Sequence, residues 1–291
     1  MLGIPRMQSS VANVAIRVSG SRQKREEGAS SGLQMGKDVC ILRMEGTNNE
    51  FEAFNAFQSV GCTPHYVHLN NLKRKQVSLT DFSCIFLPGG FSAGDYIRAG
   101  AIFANRLSSS SGKEIREFVD TGKPVVGVCN GFQVLSELDF LPDLGIGERS
   151  IALGHNDTNR YECRLTFIKR VNESPILNED FPTETPFLVP VAHAEGKIVF
   201  KNNEVLKKLI EQKQVLFKYC DEYGEETGFP WNPNGTVQNI AGISNVSGNV
   251  MGLMPHPERM MDSDMAIPAK LKKTSIGLSF FRDLKRYMEK F

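Results

Sequence analysis

The chain has 291 residues, 41% of them hydrophobic and 23% charged, with a formal net charge of +1 at pH 7. That length and apolar fraction suit one compact α/β domain with at most a modest extra lobe. A near-neutral chain has no overall field for holding nucleic acid or a membrane surface, and no apolar stretch nears the roughly 20 residues of a membrane span.

Residues 1–36 differ in character from the rest. They are rich in Ser and Gly and carry Arg6, Arg17, Arg22, Lys24 and Arg25 against only Glu26 and Glu27. Without an apolar core of signal-peptide type, export is not expected. The segment reads as a disordered extension, or as sequence upstream of a true start at Met35; its Arg/Ser bias also admits a transit peptide. From residue 37 to 291 the chain reads as one domain. Six cysteines, Cys40, Cys62, Cys84, Cys129, Cys163 and Cys220, are scattered without a CxxC pair. They read as reduced cytoplasmic thiols rather than a disulfide framework or a zinc site.

The first organised run, 39–43, is apolar and strand-like. A turn at 46–50 leads to a helix marked by Phe51, Phe54 and Phe57, and strands follow at 66–69 and 84–87. Strand and helix in alternation predict a doubly wound, mostly parallel sheet, with functional groups beyond the carboxyl ends of its strands. The third strand runs into Pro88-Gly89-Gly90-Phe91-Ser92. A glycine pair there is usually only a tight turn; its other use is to aim bare N–H groups, near Gly90 and Phe91, at a reacting carbonyl. The stretch lacks the G-K-[ST] ending of a phosphate-binding loop. Asp95, Tyr96 and Arg98 carry it into a helix, on the surface, in contact with a partner or positioning substrate. Ser108, Ser109, Ser110 and Ser111 read as a flexible loop before a helix at 114–119.

The run KPVVGVCNGFQ, 123–133, organises the chain. A buried strand turns abruptly into a helix at Cys129, with Gly127 and Gly131 two residues to either side, a G-x-C-x-G nucleophile elbow. Glycines let such a strained corner close, and a helix N-terminus favours a thiolate. A buried core cysteine with incidental glycines is the bland alternative. The elbow helix is expected to end at 141–144. Alternating residues at 162–168 and 187–191 predict antiparallel strands beside the main sheet. His193 and Glu195 form one His-x-Glu pair, a rival catalytic base or else a structural pair in the antiparallel region. A helix at 205–212, a strand at 215–219 and a hairpin at Asn234-Gly235 lead to GNVMGLMPHPER, 248–259. There His256 and Glu258 each follow a proline, so an extended path would set both on one side. A nucleophilic cysteine needs such a base and a group to orient it. A basic patch at 270–273 and a helix at 280–287 close the chain.

Five stretches in order, PGGFSAGDYIRAGA (88–101), GVCNGFQ (127–133), VAHAEG (191–196), NPNGTVQNIAGI (232–243) and GNVMGLMPHPER, span much of residues 37–262. Together they resemble the class I, triad-type glutamine amidotransferases. Within that class they resemble the glutaminase subunits of the phosphoribosylformylglycinamidine synthases of purine biosynthesis. The elbow and P-H-P-E are similar to the class; GGFSAGDY and NPNG are similar to the subfamily. The family often reads A-H-G-E-G where this chain has Ala194 in place of the central glycine.

The resemblance implies a flavodoxin-like sheet with an added antiparallel region. It implies a catalytic triad of Cys129, His256 and Glu258, with Gly90, Phe91, Asn130, Gln133 and His193 around substrate and oxyanion. It further implies L-glutamine as substrate, hydrolysed through a Cys129 thioester, with no metal and no cofactor in this chain. Ammonia would pass to a larger synthetase subunit that binds ATP and magnesium, joined by a small third subunit, in the cytoplasm. Two alternatives remain open: a cysteine hydrolase or glutaminase serving another synthetase, and a catalytically dead scaffold that only binds one.

Overall fold

Strands that lie between two layers of helix are buried on both faces and so read as unbroken apolar runs. Such runs form the centre of the sheet here. β1 (Asp38–Arg43), β2 (Thr63–His68), β3 (Cys84–Leu87) and β4 (Val125–Val128) are followed by β5 (Ile151–Gly154), β6 (Glu162–Arg170), β7 (Phe187–His193) and β8 (Lys197–Phe200). β9 (Val215–Cys220), β10 (Ile240–Ser244) and β11 (Val250–Leu253) complete the set among the described residues. Every residue of β3, β4, β10 and β11 is buried. The computed structural model describes residues 37–144, 149–178, 180–261 and 276–291. The expected extension over 1–36 and the basic patch at 270–273 lie outside these residues.

Nine strands form one sheet in the order β2-β1-β3-β4-β11-β10-β9-β6-β7, and β5 pairs with β8 separately. The β2-β1-β3-β4-β11 half is parallel, and from β11 to β7 each neighbour is antiparallel. The mostly parallel sheet with an antiparallel region is therefore present, with one refinement. β6 and β7 continue the main sheet in register through β9, rather than packing beside it, because β9 offers them a free edge.

α1 (Glu50–Ser59) and α6 (Ile276–Met288) cover one face. Their contact with the sheet is aromatic: Phe57 of α1 meets Phe86 of β3 edge-on at 5.4 Å and Phe281 of α6 at 4.8 Å. The other face carries α2 (Leu69–Lys73), α3 (Ala101–Asp120) and α4 (Asn130–Glu137), while α5 (Asn203–Glu211) packs on β8.

Three expected boundaries move. The serine run lies inside α3, not in a loop. Ser109 and Ser110 donate their hydroxyls to the carbonyls of Asn105 and Arg106, one turn back, at 2.7 and 2.9 Å. Serines satisfied within the helix need not end it; the helix only kinks, at Ser111 (φ −146°). The elbow helix stops at Glu137, short of the expected 141–144. Asn234-Gly235 is not the tip of a tight hairpin. Asn232 and Asn234 instead accept the N–H groups of Gly235 and Thr236, folding the stretch into side-chain-closed turns.

Two glycine substitutions are expected to act with opposite signs. A β-carbon on Gly131 would fall inside the Leu87 carbonyl, whereas one on Gly112 would meet only the exposed Ser108 hydroxyl at 3.3 Å. Gly131→Ala should cost at least the upper end of about 1–3 kcal/mol. Gly112→Ala should add about 0.5–1 kcal/mol. Urea unfolding of the two variants reads both signs.

Candidate active site

The corner between β4 and α4 places Cys129 beyond the carboxyl end of a central parallel strand. The residue sits at φ 51°, ψ −107°, a backbone that L side chains rarely adopt. Its N–H is held by the Leu253 carbonyl at 2.8 Å. The side chain is nearly buried, and Sγ donates to the carbonyl of Ala192 at 3.6 Å. Gly89 lies against this corner because nothing larger fits. A β-carbon there would stand 2.7 Å from His256 Cε1 and 3.3 Å from Cys129 Cβ, so cysteine and histidine flank one glycine.

His256 and Glu258 do meet, though not along an extended strand. His256 leaves β11 with its N–H on the Pro190 carbonyl at 2.9 Å, and Pro257–Arg259 form a 3-10 turn. The fixed φ of Pro257 suits a first helical position, so the chain curls instead of running straight. The curl brings Glu258 Oε1 to 2.6 Å from His256 Nδ1, with both side chains buried. At that distance Nδ1 carries the proton and donates it to the carboxylate. Burial alone would push His256 down. The charge of Glu258, and after it the neighbouring Cys129 side chain, outweigh it and hold its proton well above the usual histidine range. Nε2 is buried and has no hydrogen-bond partner among the described residues.

Asn49 completes this corner and is not legible in the sequence, where it falls in the turn before α1. It caps nothing with its side chain. Its Nδ2 packs 3.0 Å from His256 Nδ1, and its Oδ1 accepts from Arg259 at 2.7 Å.

The glycine loop divides its N–H groups. Phe91 N–H donates to the Gly46 carbonyl at 2.8 Å, so the expectation that it faces a reacting carbonyl does not hold. The loop must close onto the β1–α1 turn, and that closure takes the Phe91 donor. Among the described residues the N–H of Gly90, at φ 142°, meets no partner, and neither does that of Asn130 at the start of α4. The Asn130 side chain donates to Gln133 Oε1 at 2.9 Å, and Gln133 Nε2 donates to the Glu195 carbonyl at 2.6 Å.

His193 and Glu195 are not a second pair. Glu195 accepts the Ala99 N–H at 3.2 Å, while His193 Nδ1 lies 3.0 Å from Asn156 Oδ1. Burial, with the positive charges of His256 and Arg164, lowers His193 to about 3. Asp95 is raised to about 6, by burial and by Glu195. Beside it Tyr96 and Ile97 stand out into solvent, 88% and 74% exposed. Arg160 is exposed; its carbonyl accepts from Asn156 and its N–H donates to the Thr158 hydroxyl.

Removing the carboxylate should show in the pH dependence of stability. A histidine that holds its proton more tightly when folded stabilises the fold fully below its unfolded value near 6.5, and the contribution fades as pH rises toward 10. Glu258→Gln should therefore cost about 3 kcal/mol at pH 6.5, and the gap to the unsubstituted chain should narrow in alkali. Urea titrations at both ends of that range test it; an unchanged gap would mean that Glu258 does not hold the His256 proton.

Residues 37–288 match the family model described as a CobB/CobQ-like glutamine amidotransferase domain. A Picrophilus torridus protein named phosphoribosylformylglycinamidine synthase subunit PurQ is 52% identical over 224 residues, 77% of this chain and 87% of that protein. An Archaeoglobus fulgidus protein of the same name is 44% identical over 266 residues, 87% of this chain and 97% of that one. Among solved structures, a chain of "Structure of PurLQS from Thermotoga maritima" matches with a TM-score of 0.66 and 30% identity, covering 87% of this chain and 99% of its own length.

Proposed function

The chain belongs to the CobB/CobQ-like glutamine amidotransferase family, and we propose that it is the glutaminase subunit of a phosphoribosylformylglycinamidine synthase. The observation that supports this reading most is the corner itself: a nearly buried cysteine at a left-handed elbow, beside a buried histidine that donates to a carboxylate. The near full-length identity to proteins named as that subunit supports the substrate assignment.

In this reading Cys129 is the nucleophile, His256 the acid–base and Glu258 its orienter. The Sγ proton passes to His256 Nε2, and sulfur attacks the carboxamide carbon of L-glutamine. The oxyanion that forms is met by the N–H groups of Gly90 and Asn130; losing one such donor typically costs roughly 10²–10³ in rate. His256 then protonates the nitrogen, the C–N bond breaks, and ammonia leaves a γ-glutamyl thioester. Water attacks the thioester, its proton going to His256 and then back to sulfur, and glutamate departs. Glu258 keeps the imidazole in the Nδ1–H form and stabilises its cation through both halves.

Ammonia is useful only if delivered. We assign its use to a larger synthetase subunit, which binds ATP and magnesium, with a small third subunit in the complex. The exposed Tyr96 and Ile97 support a partner surface next to the glycine loop. Six free cysteines fit a reducing, cytoplasmic setting.

The test is mass spectrometry after treatment with 6-diazo-5-oxo-L-norleucine. One adduct on Cys129, blocked by glutamine and absent in Cys129→Ser, is expected. With the synthetase present, Cys129→Ser should lose glutamine-dependent amidation by at least about 10³-fold and keep amidation from added ammonia. A Cys129 that stays unmodified even in the complex would leave a binding scaffold as the reading.

A further inference from the structure

Every polar atom of the buried Asn156 side chain is committed. Nδ2 donates to the carbonyls of Arg160 at 2.9 Å and His193 at 2.8 Å, and Oδ1 accepts the Gly196 N–H at 3.2 Å. A backbone N–H can only donate, so the orientation of the amide is settled. The same Oδ1 lies 3.0 Å from His193 Nδ1. The ring proton therefore sits on Nδ1, and Nε2 is left with a bare lone pair.

That lone pair has no partner among the described residues, although Nε2 is buried and the residue is only 3% exposed. An unmet acceptor in such a place is costly and calls for a donor. The surroundings point to the reaction. The preceding residue, Ala192, receives the thiol of Cys129, and the carbonyl of Glu195 receives Gln133. Gly196 leaves the ring its space: a β-carbon there would stand 2.6 Å from both Cε1 and Nδ1.

We propose that Asn156 is a positioning residue which locks His193 in the Nδ1–H tautomer, so that Nε2 accepts an N–H of the substrate carboxamide and then of the departing ammonia. The proposal rests on the glutaminase reading above. A carboxamide brings two N–H donors and a carboxylate none, so the lone pair favours glutamine over its product glutamate. His256, from the turn after β11, and Arg164, from β6, both act against a charge on His193. A ring kept neutral cannot protonate ammonia that must leave uncharged.

Nitrogen NMR of histidine-labelled Cys129→Ala, with the synthetase subunit present, tests this. The chain has five histidines, and His193→Gln identifies the signal. The expected spectrum is that of the Nδ1–H tautomer, with Nε2 shifting on glutamine but not on glutamate. In Asn156→Ala a second tautomer should appear, and kcat/KM for glutamine should fall about tenfold to a hundredfold, mainly through KM. An Nε2–H tautomer, or an Nε2 signal unmoved by saturating glutamine, would overturn the proposal. Should Asn156→Ala not fold, the Cys129→Ala titration decides alone. Failure of Cys129 labelling in the complex sinks the glutaminase reading itself, whereas labelling with an unmoved Nε2 sinks only this inference.

Discussion

A residue other than glycine held at φ 51°, ψ −107° costs on the order of 1–3 kcal/mol, and Cys129 stays there because its neighbours leave no other path. β4 delivers the chain in register between β3 and β11, the Leu253 carbonyl takes the cysteine N–H, and α4 departs against Leu87 with only Gly131 slim enough for the contact. The core on both faces of the sheet is what maintains the strain. Because the corner cannot relax, the sulfur and the first N–H groups of α4 keep a fixed relation, as a site that must stabilise developing charge requires.

Around that corner the two halves of the sheet contribute different things. The parallel half supplies the cysteine, the glycine loop and, through β11, the His256–Glu258 turn. The antiparallel half supplies the facing wall. β7 brings the Ala192 carbonyl to the thiol and the Pro190 carbonyl to the His256 N–H. The turn after β7 is braced from behind by asparagine amides: Asn156 holds His193 and Gly196, and Asn234 donates to the Gly196 carbonyl and the Tyr219 hydroxyl. The N-P-N-G stretch thus acts as a strut, since an amide that both donates and accepts can satisfy a buried turn on two sides.

What could be read from the sequence follows from how local the determinant is. Four-residue apolar runs gave the central strands, and glycines two residues either side of Cys129 gave the corner, since both depend on neighbours in the chain. The same holds for His256 and Glu258, two residues apart, although Pro257 curls the segment where an extended path was expected. Asn49 escaped because its partner His256 is 207 residues away and its place before α1 has an ordinary explanation. The serine run in α3 was misread because propensity says where serine is comfortable alone, and the buried neighbours Leu107 and Ile115 hold the helix through it. The Phe91 N–H reads as free because a loop sequence shows which N–H groups exist but not which the next turn will take.

The two histidines of the site show how little chemistry separates opposite charge states. Both are almost wholly buried, and burial pushes both toward the neutral form. Both hold a proton on Nδ1 and hand it to an oxygen. For His256 that oxygen belongs to a carboxylate, and its charge outweighs the cost of burying the cation. For His193 it belongs to an amide, which fixes the tautomer but supplies no charge, so the ring stays neutral beside its charged neighbour. Groups whose surroundings drive their proton affinities apart can take different parts in one reaction. In the proposed reaction the difference between a proton carrier and a permanent acceptor rests on Glu258 in one case and Asn156 in the other. The carboxylate is set by the chain's own next turn. The amide arrives from a distant loop, and only the folded sheet brings it to its ring.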